Sequence, residues 1–292
     1  MKRLSIIAVA AATAIAAAPL FAAACASATP STPADQPVTY SPQVELPFGD
    51  YINHLSGVAV DGADNVYVLD LKYGQVWKKA ARASQPITLA FKDIGQAIDV
   101  AVDNTGNLYV TDGFNKRVLK LVPGVSNPTV LPFTDLNQIS GVAVDPAGNV
   151  YATDAGTNRV LKLTPGATTP IVLPFGDLER VSGVAVDAGG DVYVADAHAK
   201  RVLKLVAGAA GPTVLPFDDL GQPAAVAVDT GGNVYVTDFN TDRVLKLPAG
   251  ANSPTVLPFT GLNQPSEVAV DAAGDVYIHD DLNFRVLKLT AR

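Results

Sequence analysis

The sequence predicts an all-β fold, a six-bladed β-propeller of four-stranded antiparallel blades, closed by an N-terminal strand that joins the last blade. Two observations carry this prediction. The string Val-Ala-Val-Asp occurs six times at intervals of 42 residues, from Val58 to Val268. Around these strings the apolar residues alternate with period two and are rich in β-branched side chains, and no stretch has helical spacing. Four-stranded sheets repeated radially form a propeller.

Each repeat supplies one blade through four recurring strings. Val-Ala-Val-Asp is followed by a strand that ends in aspartate, then by Arg-Val-Leu-Lys-Leu or a relative, and then by Thr-Val-Leu-Pro-Phe or a relative. A turn containing glycine, such as residues 145–149, separates the first two strings and allows a tight hairpin. Proline in the last string fits an edge strand, where a missing N–H costs no ladder hydrogen bond.

The two ends of the chain complement each other. The last repeat stops after its third strand, Arg285 to Leu289, and an outer strand without a blade, Val44 to Phe48, precedes the first repeat. Their pairing would close the ring and remove two open sheet edges. The sequence therefore assigns residues 44–292 to the propeller.

Composition excludes several classes of protein. Hydrophobic residues make up 48% of the chain, which excludes global disorder. The formal charge of -7 and a pI near 4.9 argue against a nucleic-acid partner, because phosphate binding needs clustered lysine and arginine. The single cysteine, Cys25, excludes an intramolecular disulfide and a cysteine-rich zinc site.

The N-terminus predicts export. Lys2 and Arg3 precede an uncharged apolar run that ends in small residues, so residues 1–25 read as a signal peptide; an uncleaved membrane anchor is the alternative. Ala22 to Cys25 is similar to a bacterial lipobox, which predicts lipidation of Cys25, whereas cleavage after Ala28 would release a soluble protein. Residues 26–43 are rich in proline, threonine and serine and predict a tether. The expected location is the outer face of the plasma membrane as a lipoprotein, or the medium as a secreted protein.

The repeat strings GVAVD, NVYVTD and RVLKL resemble the NHL-repeat family through residues 44–292. They are especially similar to the extracellular sensor domain of a mycobacterial receptor-type Ser/Thr protein kinase, whose blades also carry TVLPF-type outer strands. This resemblance implies an extracellular sensing or binding role. No kinase domain follows the repeats in this sequence.

An aspartate and an arginine recur five residues apart and are predicted to form a structural clamp in each of five blades. An arginine can hold a carboxylate through two hydrogen bonds across a short hairpin. The pairs are Asp112 with Arg117, Asp154 with Arg159, Asp196 with Arg201, Asp238 with Arg243, and Asp280 with Arg285. In blade one, Asp70 faces Gln75 instead, and Lys72 is the expected substitute.

Positions that differ between repeats are the candidates for function, because the shared scaffold explains the identical ones. The loops after the second strand and the segments that lead into the first strand diverge most, and they gather on one face. The predicted ligand-binding residues on that face are Tyr51, His54, Tyr73, Phe114, His198, Phe239 and Phe284. Packing of these side chains on neighbouring loops is the alternative interpretation. Glu179 and Arg180 are read as solvated.

Three further departures are expected near the central axis. Asp99 and Glu267 replace the glycine that begins the first strand, and His279 replaces a threonine or alanine. Two carboxylates with backbone oxygens could begin a Ca²⁺ or Mg²⁺ site. Virginiamycin B lyases and lactonases are also propellers, so an enzyme with His279 as general base is the alternative function.

The leading hypothesis from the sequence is a non-enzymatic binding module outside the cell, with no cofactor and no metal. Its expected partner is an extracellular protein, a peptide or an envelope glycan, and contact with a membrane is expected only through a lipid on Cys25. No nucleophile elbow, zinc-protease motif or phosphate loop is present.

Overall fold

The computed structural model describes residues 38–48, 54–89, 91, 94–125 and 127–292. Within these residues, 24 strands form six four-stranded antiparallel sheets. The predicted six-bladed propeller is therefore confirmed. The signal peptide, Cys25, most of the tether and Tyr51 lie outside the described residues. No helix in the described part of the chain is both long enough and apolar enough to span a bilayer.

The strands recur in the same order in every blade. The inner strands are β2 (Leu55–Val60), β6 (Ala97–Val102), β10 (Ile139–Val144), β14 (Val181–Val186), β18 (Pro223–Val228) and β22 (Pro265–Val270). The second strands are β3 (Val66–Asp70), β7 (Leu108–Asp112), β11 (Val150–Asp154), β15 (Val192–Asp196), β19 (Val234–Asp238) and β23 (Val276–Asp280). The third strands are β4 (Gln75–Lys79), β8 (Arg117–Leu121), β12 (Arg159–Leu163), β16 (Arg201–Leu205), β20 (Arg243–Leu247) and β24 (Arg285–Leu289). The outer strands are β5 (Ile87–Leu89), β9 (Thr129–Val130), β13 (Ile171–Val172), β17 (Thr213–Val214), β21 (Thr255–Val256) and, for the last blade, β1 (Val44–Glu45).

The N-terminal strand completes the last blade, as the sequence predicts. Val44 pairs with Lys288, and the N–H of Leu46 donates to the carbonyl of Val286 at 2.9 Å. Ordered pairing begins before Val44, because Tyr40 forms a β-bridge with Ala291. Phe48 is buried in the apolar cluster between the last blade and the first. Both chain ends thus stabilise the same blade.

The core lies between blades rather than inside one sheet. Tyr151 and Val160 of blade three, for example, pack with Val184, Val194 and Leu203 of blade four. Each inner strand has buried positions on both of its faces, which is why its apolar residues run almost continuously. Each strand is therefore stabilised by packing within its own blade and by packing against the next blade.

A repeated side-chain stack fixes the hairpin between the first two strands. In every blade the tyrosine of the second strand donates its hydroxyl to the aspartate that opens the turn, at 2.9–3.0 Å. A lysine of the third strand lies over each tyrosine ring, 4.8–5.3 Å from its centre. We call the side of the ring with these turns the turn face and the opposite side the loop face.

Candidate functional site

The loop face is held in place by the aspartates that end the second strands. In blade three, Asp154 accepts hydrogen bonds from the N–H of Gln138 at 2.9 Å and from the N–H of Asn137 at 3.2 Å. Arg159 contacts the same carboxylate at 3.1 Å and donates to the carbonyl of Asp135 at 2.8 Å. The clamp therefore ties the loop after one strand to the segment that leads into another.

The predicted aspartate–arginine contacts occur in all five blades that carry both residues. The N–O distances are 3.0 Å for Asp112–Arg117, 3.1 Å for Asp154–Arg159, 3.0 Å for Asp196–Arg201, 3.1 Å for Asp238–Arg243 and 2.8 Å for Asp280–Arg285. Burial opposes ionisation of Asp112, but hydrogen bonds from Asn115, the N–H of Gln96 and Arg117 outweigh it and hold its pKa below the usual range. This chemistry is structural, because every group on the carboxylate comes from the scaffold.

Blade one lacks the arginine of the clamp, and backbone groups hold its aspartate instead. Asp70 accepts hydrogen bonds from the backbone N–H groups of Lys72 and Tyr73, at 2.9 and 3.0 Å. The Lys72 ammonium group does not take the place of the missing arginine; it lies over the Tyr73 ring, 5.0 Å from its centre. The expectation that Lys72 substitutes in the clamp is therefore wrong, because its own neighbour binds its charge.

Three of the predicted binding residues lie exposed on consecutive blades. Phe114 is 78% exposed, Tyr73 62% and Phe284 53%, on blades two, one and six. Leu282, which the sequence reasoning missed, is exposed beside Phe284. Closure of the ring makes blades six, one and two neighbours, so these side chains form one arc. We call Tyr73, Phe114, Leu282 and Phe284 the aromatic arc.

The remaining predicted binding residues lie elsewhere on the loop face. His54 and His198 are exposed on blades one and four, and Phe239 of blade five is half-buried. Phe239 lines a cavity of about 210 Å³ at the mouth of the central channel. The structure therefore separates the predicted set into the aromatic arc, a residue at the channel mouth and two exposed imidazoles.

The channel mouth contains residues that the sequence reasoning missed. Arg180, which is exposed as the sequence predicts, lines the cavity together with Gln222, Ser182 and Glu267. The residue before the inner strand is glutamine in four repeats, and Arg180 replaces it in blade four. This departure from the repeat is the sequence signal that could have identified Arg180 as a candidate site residue. The cavity thus has one guanidinium and one carboxyl group among hydroxyl and apolar walls.

Asp99 has a structural role at the channel mouth, because its carboxylate binds backbone N–H groups of two blades. One carboxylate oxygen accepts the N–H of Val100 at 2.7 Å, and the other accepts the N–H of Val142, on the next blade, at 2.8 Å. Burial raises the pKa of Asp99 to about 7, although these two hydrogen bonds oppose the rise. Asp99 therefore joins blades two and three and has both oxygens occupied.

Glu267 and His279 are cross-strand neighbours in blade six. In three other blades a threonine hydroxyl accepts the N–H of the residue at the position of Glu267, as Thr153 does for Gly141 at 2.6 Å. His279 stands at the threonine position, and there Glu267 joins the backbone ladder instead. Burial raises the pKa of Glu267 well above its usual range, and the charge of Asp99 raises it further.

His279 is enclosed rather than presented to the channel. It is 1% exposed, its Nδ1 is 2.8 Å from the Ser266 hydroxyl oxygen, and its Nε2 has no hydrogen-bond partner among the described residues. Nε2 lies 3.9 Å from an Asp281 carboxylate oxygen. Burial lowers the pKa of His279 to about 4, although the charge of Asp280 opposes the fall. The imidazole is therefore neutral near pH 7.

The residues at the mouth do not fit a Ca²⁺ or Mg²⁺ site. Hard cations take six or more oxygen ligands. The described residues hold no group of three or more histidine, cysteine, aspartate or glutamate side chains arranged for a metal. Backbone amides occupy both oxygens of Asp99, which leaves Glu267 as the carboxylate facing the cavity.

Three blades of the chain match a family model described as the NHL repeat, at residues 136–163, 178–205 and 220–247. The chain therefore contains NHL repeats within a six-bladed propeller. No curated protein sequence compared with the chain matches it.

Solved structures of the same fold include both enzymes and a binding module. A catalytically inactive virginiamycin B lyase from Staphylococcus aureus with quinupristin is 13% identical, with a TM-score of 0.66 over 86% of this chain and 99% of its own. A gluconolactonase from Xanthomonas campestris is 15% identical, with a TM-score of 0.71 over 86% and 89%. A chain of a nidogen/laminin complex is 23% identical, with a TM-score of 0.66 over 74% and 84%. At these identities the likeness is one of fold.

Proposed function

We propose that the protein is an exported NHL-repeat propeller that binds a partner protein outside the cell through the aromatic arc, without catalysing a reaction. The observation that carries this proposal is the exposure of Tyr73, Phe114, Leu282 and Phe284 on three consecutive blades. Aromatic side chains are enriched in protein interfaces, where they contribute large contact area, and a grouped apolar surface exposed to water marks such an interface.

The arc is confined to one side of the ring. The corresponding loops of blades three and four carry Ala155, Gly156, Ala197 and His198, which offer little apolar area. The scaffold is the same in all six blades, so it does not explain this difference. A partner that contacts blades six, one and two does.

Phe284 adds an independent argument. Its φ is 52°, a left-handed conformation that costs a side chain with a Cβ about 1–2 kcal/mol relative to glycine. The corresponding residues are Gly74 in blade one and the polar Lys116, Asn158, Lys200 and Asp242 in blades two to five, all with φ between 51° and 57°. Neither backbone preference nor burial explains an exposed phenylalanine at this position, whereas a contact with a partner explains it.

The enzyme alternative has less support. A general base must come within hydrogen-bond reach of its substrate, and His279 is shielded from solvent on all sides. With a pKa of about 4, its imidazole is also a weak base near neutral pH. The gluconolactonase and lyase likenesses concern the fold and carry no catalytic residues to this chain.

Export and tethering complete the proposal. Lys2 and Arg3 followed by an apolar run support secretion, and Cys25 supports attachment to a lipid. A sensor role, as in the kinase domain that the repeats resemble, would place the partner-binding propeller on the outer side of the membrane. Mass spectrometry of the mature N-terminus tests this part separately from binding.

The binding proposal is tested by a triple variant, Tyr73→Ser, Phe114→Ser and Phe284→Ser. The control is Ile171→Ser, Val214→Ser and Val256→Ser, which removes exposed apolar side chains from outer strands. Partners from envelope extract are crosslinked to each protein, and the affinity of the partner recovered is then measured with purified components. We expect the arc variant to bind at least ~10-fold more weakly than wild type. Equal loss in both variants would contradict the proposal.

Enzyme activity is tested in parallel on a panel of lactones and cyclic depsipeptides. Turnover that disappears in His279→Ala, with partner binding unaffected in the arc variant, would favour the enzyme alternative instead.

A further inference from the structure

The N-terminal segment fills a groove between blades five and six on the turn face. The carbonyl of Thr39 accepts the N–H of Arg292, and the N–H of Ser41 donates to the carbonyl of Thr290, both at 2.8 Å. Between these bonds the Tyr40 ring packs on the apolar cluster that blades five and six share. The Lys246 ammonium group lies 3.5 Å from the Tyr40 hydroxyl and 5.9 Å from the ring centre. The 5/6 groove is thus a tyrosine-binding slot occupied by the protein's own chain.

Tyr40 has a measurable effect on the groove it covers. Lys246 is buried in blade five, while the matching lysines of the other blades are half-buried. Leu257 of the next outer strand is likewise buried, while Leu131, Leu173 and Leu215 are half-buried. The equivalent grooves of the other blades therefore show what this lysine and this leucine look like when no tyrosine covers them.

The groove between blades one and two has the same walls, and none of the residues that the structure describes covers it as Tyr40 covers the 5/6 groove. Tyr67 and Lys78 stand where Tyr235 and Lys246 stand in the filled groove, with the ammonium group 5.1 Å from the ring centre. They line a cavity of about 380 Å³ together with Leu89, Leu108 and Leu121. Val122 and Val125 border it and are 40% and 50% exposed. The 1/2 groove is therefore an open copy of the slot that Tyr40 fills.

We propose that the 1/2 groove binds a tyrosine side chain on an extended segment of a partner protein. The ring would lie against Leu89, Leu108 and Leu121, with its hydroxyl directed toward Lys78, as Tyr40 is directed toward Lys246. Burial of the aromatic face gives most of the affinity, and the ammonium group favours a hydroxyl or the face of a ring over an aliphatic side chain. This site is on the turn face and does not depend on the aromatic arc.

Backbone pairing contributes less in the 1/2 groove than in the filled groove. The carbonyl of Val122 already accepts the N–H of Val125 at 3.0 Å, whereas the matching carbonyl of Thr290 accepts the N–H of Ser41. A docked peptide therefore relies on its side chain. For this reason a tyrosine-to-alanine change in the peptide should remove most of the binding.

The corresponding groove between blades three and four supplies a matched control. Its cavity is smaller, about 270 Å³, and its lining includes Asp145, Asn149 and Ala207 beside Val206. Val206 is 48% exposed at the position of Val122. An arginine there blocks a groove of the same design without touching the 1/2 groove.

The test uses a fluorescent peptide with the sequence of residues 37–43, Pro-Val-Thr-Tyr-Ser-Pro-Gln, titrated against the full chain. We expect one binding site on the wild type and at least ~10-fold weaker binding of the peptide with alanine for tyrosine. Val125→Arg should abolish binding and Val206→Arg should preserve it. Circular dichroism of each variant confirms that it is folded.

Two outcomes would overturn the proposal. These are equal affinity of the tyrosine and alanine peptides, and undiminished binding to Val125→Arg. Light scattering distinguishes the source of the occupant. A dimer that the peptide dissociates would show that a second copy of this chain, rather than a partner protein, fills the groove.

Discussion

Replacing Glu267 by glutamine is expected to stabilise the protein at pH 8 and to change little at pH 5. Burial and the neighbouring Asp99 charge raise the pKa of Glu267, and burial raises that of Asp99 from 3.8 to about 7. Each carboxyl group therefore binds its proton more tightly in the folded chain than in the unfolded one. The free energy of unfolding then falls as the pH rises from about 4 through the folded-state values.

The magnitude follows from the shift at Asp99. One pKa unit corresponds to about 1.4 kcal/mol, so a rise of about three units costs about 4 kcal/mol above pH 7. Glutamine keeps the shape of Glu267 and removes one of the two charges. The Glu267 side chain makes no hydrogen bond to any residue that the structure describes, so the substitution loses none. We expect a gain of at least ~1 kcal/mol at pH 8.

The assay is urea unfolding of wild type and Glu267→Gln at pH 5, 6, 7 and 8. His279 acts in the opposite direction below pH 6.5, because burial lowers its pKa to about 4 and its neutral form stabilises the folded chain. That contribution is common to both proteins and cancels in their difference. Glu179→Gln, an exposed substitution, is the control for removing one carboxylate from the surface. A difference between wild type and Glu267→Gln that stays constant with pH would refute the reasoning.

Further predictions concern closure, the clamp and the arc. Phe48→Ala should cost about 3–5 kcal/mol of unfolding free energy, because Phe48 is buried at the closing interface. Val44 is exposed, so calorimetry should show almost no change for Val44→Ala. Equal effects of the two substitutions would argue against closure by this strand. Asp154→Ala should cost about 3–5 kcal/mol in urea unfolding, because it leaves Arg159 and two backbone N–H groups without their acceptor; a loss below ~1 kcal/mol would contradict the clamp. Phe284→Gly should raise the melting temperature, because glycine adopts the left-handed backbone conformation without strain, and it should weaken partner binding. A lower melting temperature would show that Phe284 packs in the free protein.

The repeated elements could be predicted from the sequence because each depends on neighbours along the chain. The alternation in Val142 to Asp154 specifies two strands and the turn between them, and the five-residue spacing of Asp154 and Arg159 brings them together across one hairpin. The position of Val44 before the first repeat predicted its pairing in the last blade. The role of Lys72 was misjudged, because spacing alone does not show that Tyr73 binds its charge.

The candidate site was only partly predictable. Phe114 and Tyr73 were identified because they vary between repeats, but their exposure became known only from the structure. Arg180 is exposed, as the sequence predicts, but its place on the wall of the channel mouth became known only from the structure. Which side chains meet at the axis depends on how six blades enclose it, and no local pattern reports that.

The sequence by itself determined the number of blades, the order of their strands, the closing strand and the clamps. These follow from periodicity and from hydrogen bonds between residues close in the chain. Only the tertiary structure decided that the charge of Asp99 acts on Glu267, that His279 is enclosed, and that Tyr40 fills an interblade groove. Ring closure makes residues far apart in the chain into neighbours, and it is their shared exclusion from water that sets these pKa values and contacts.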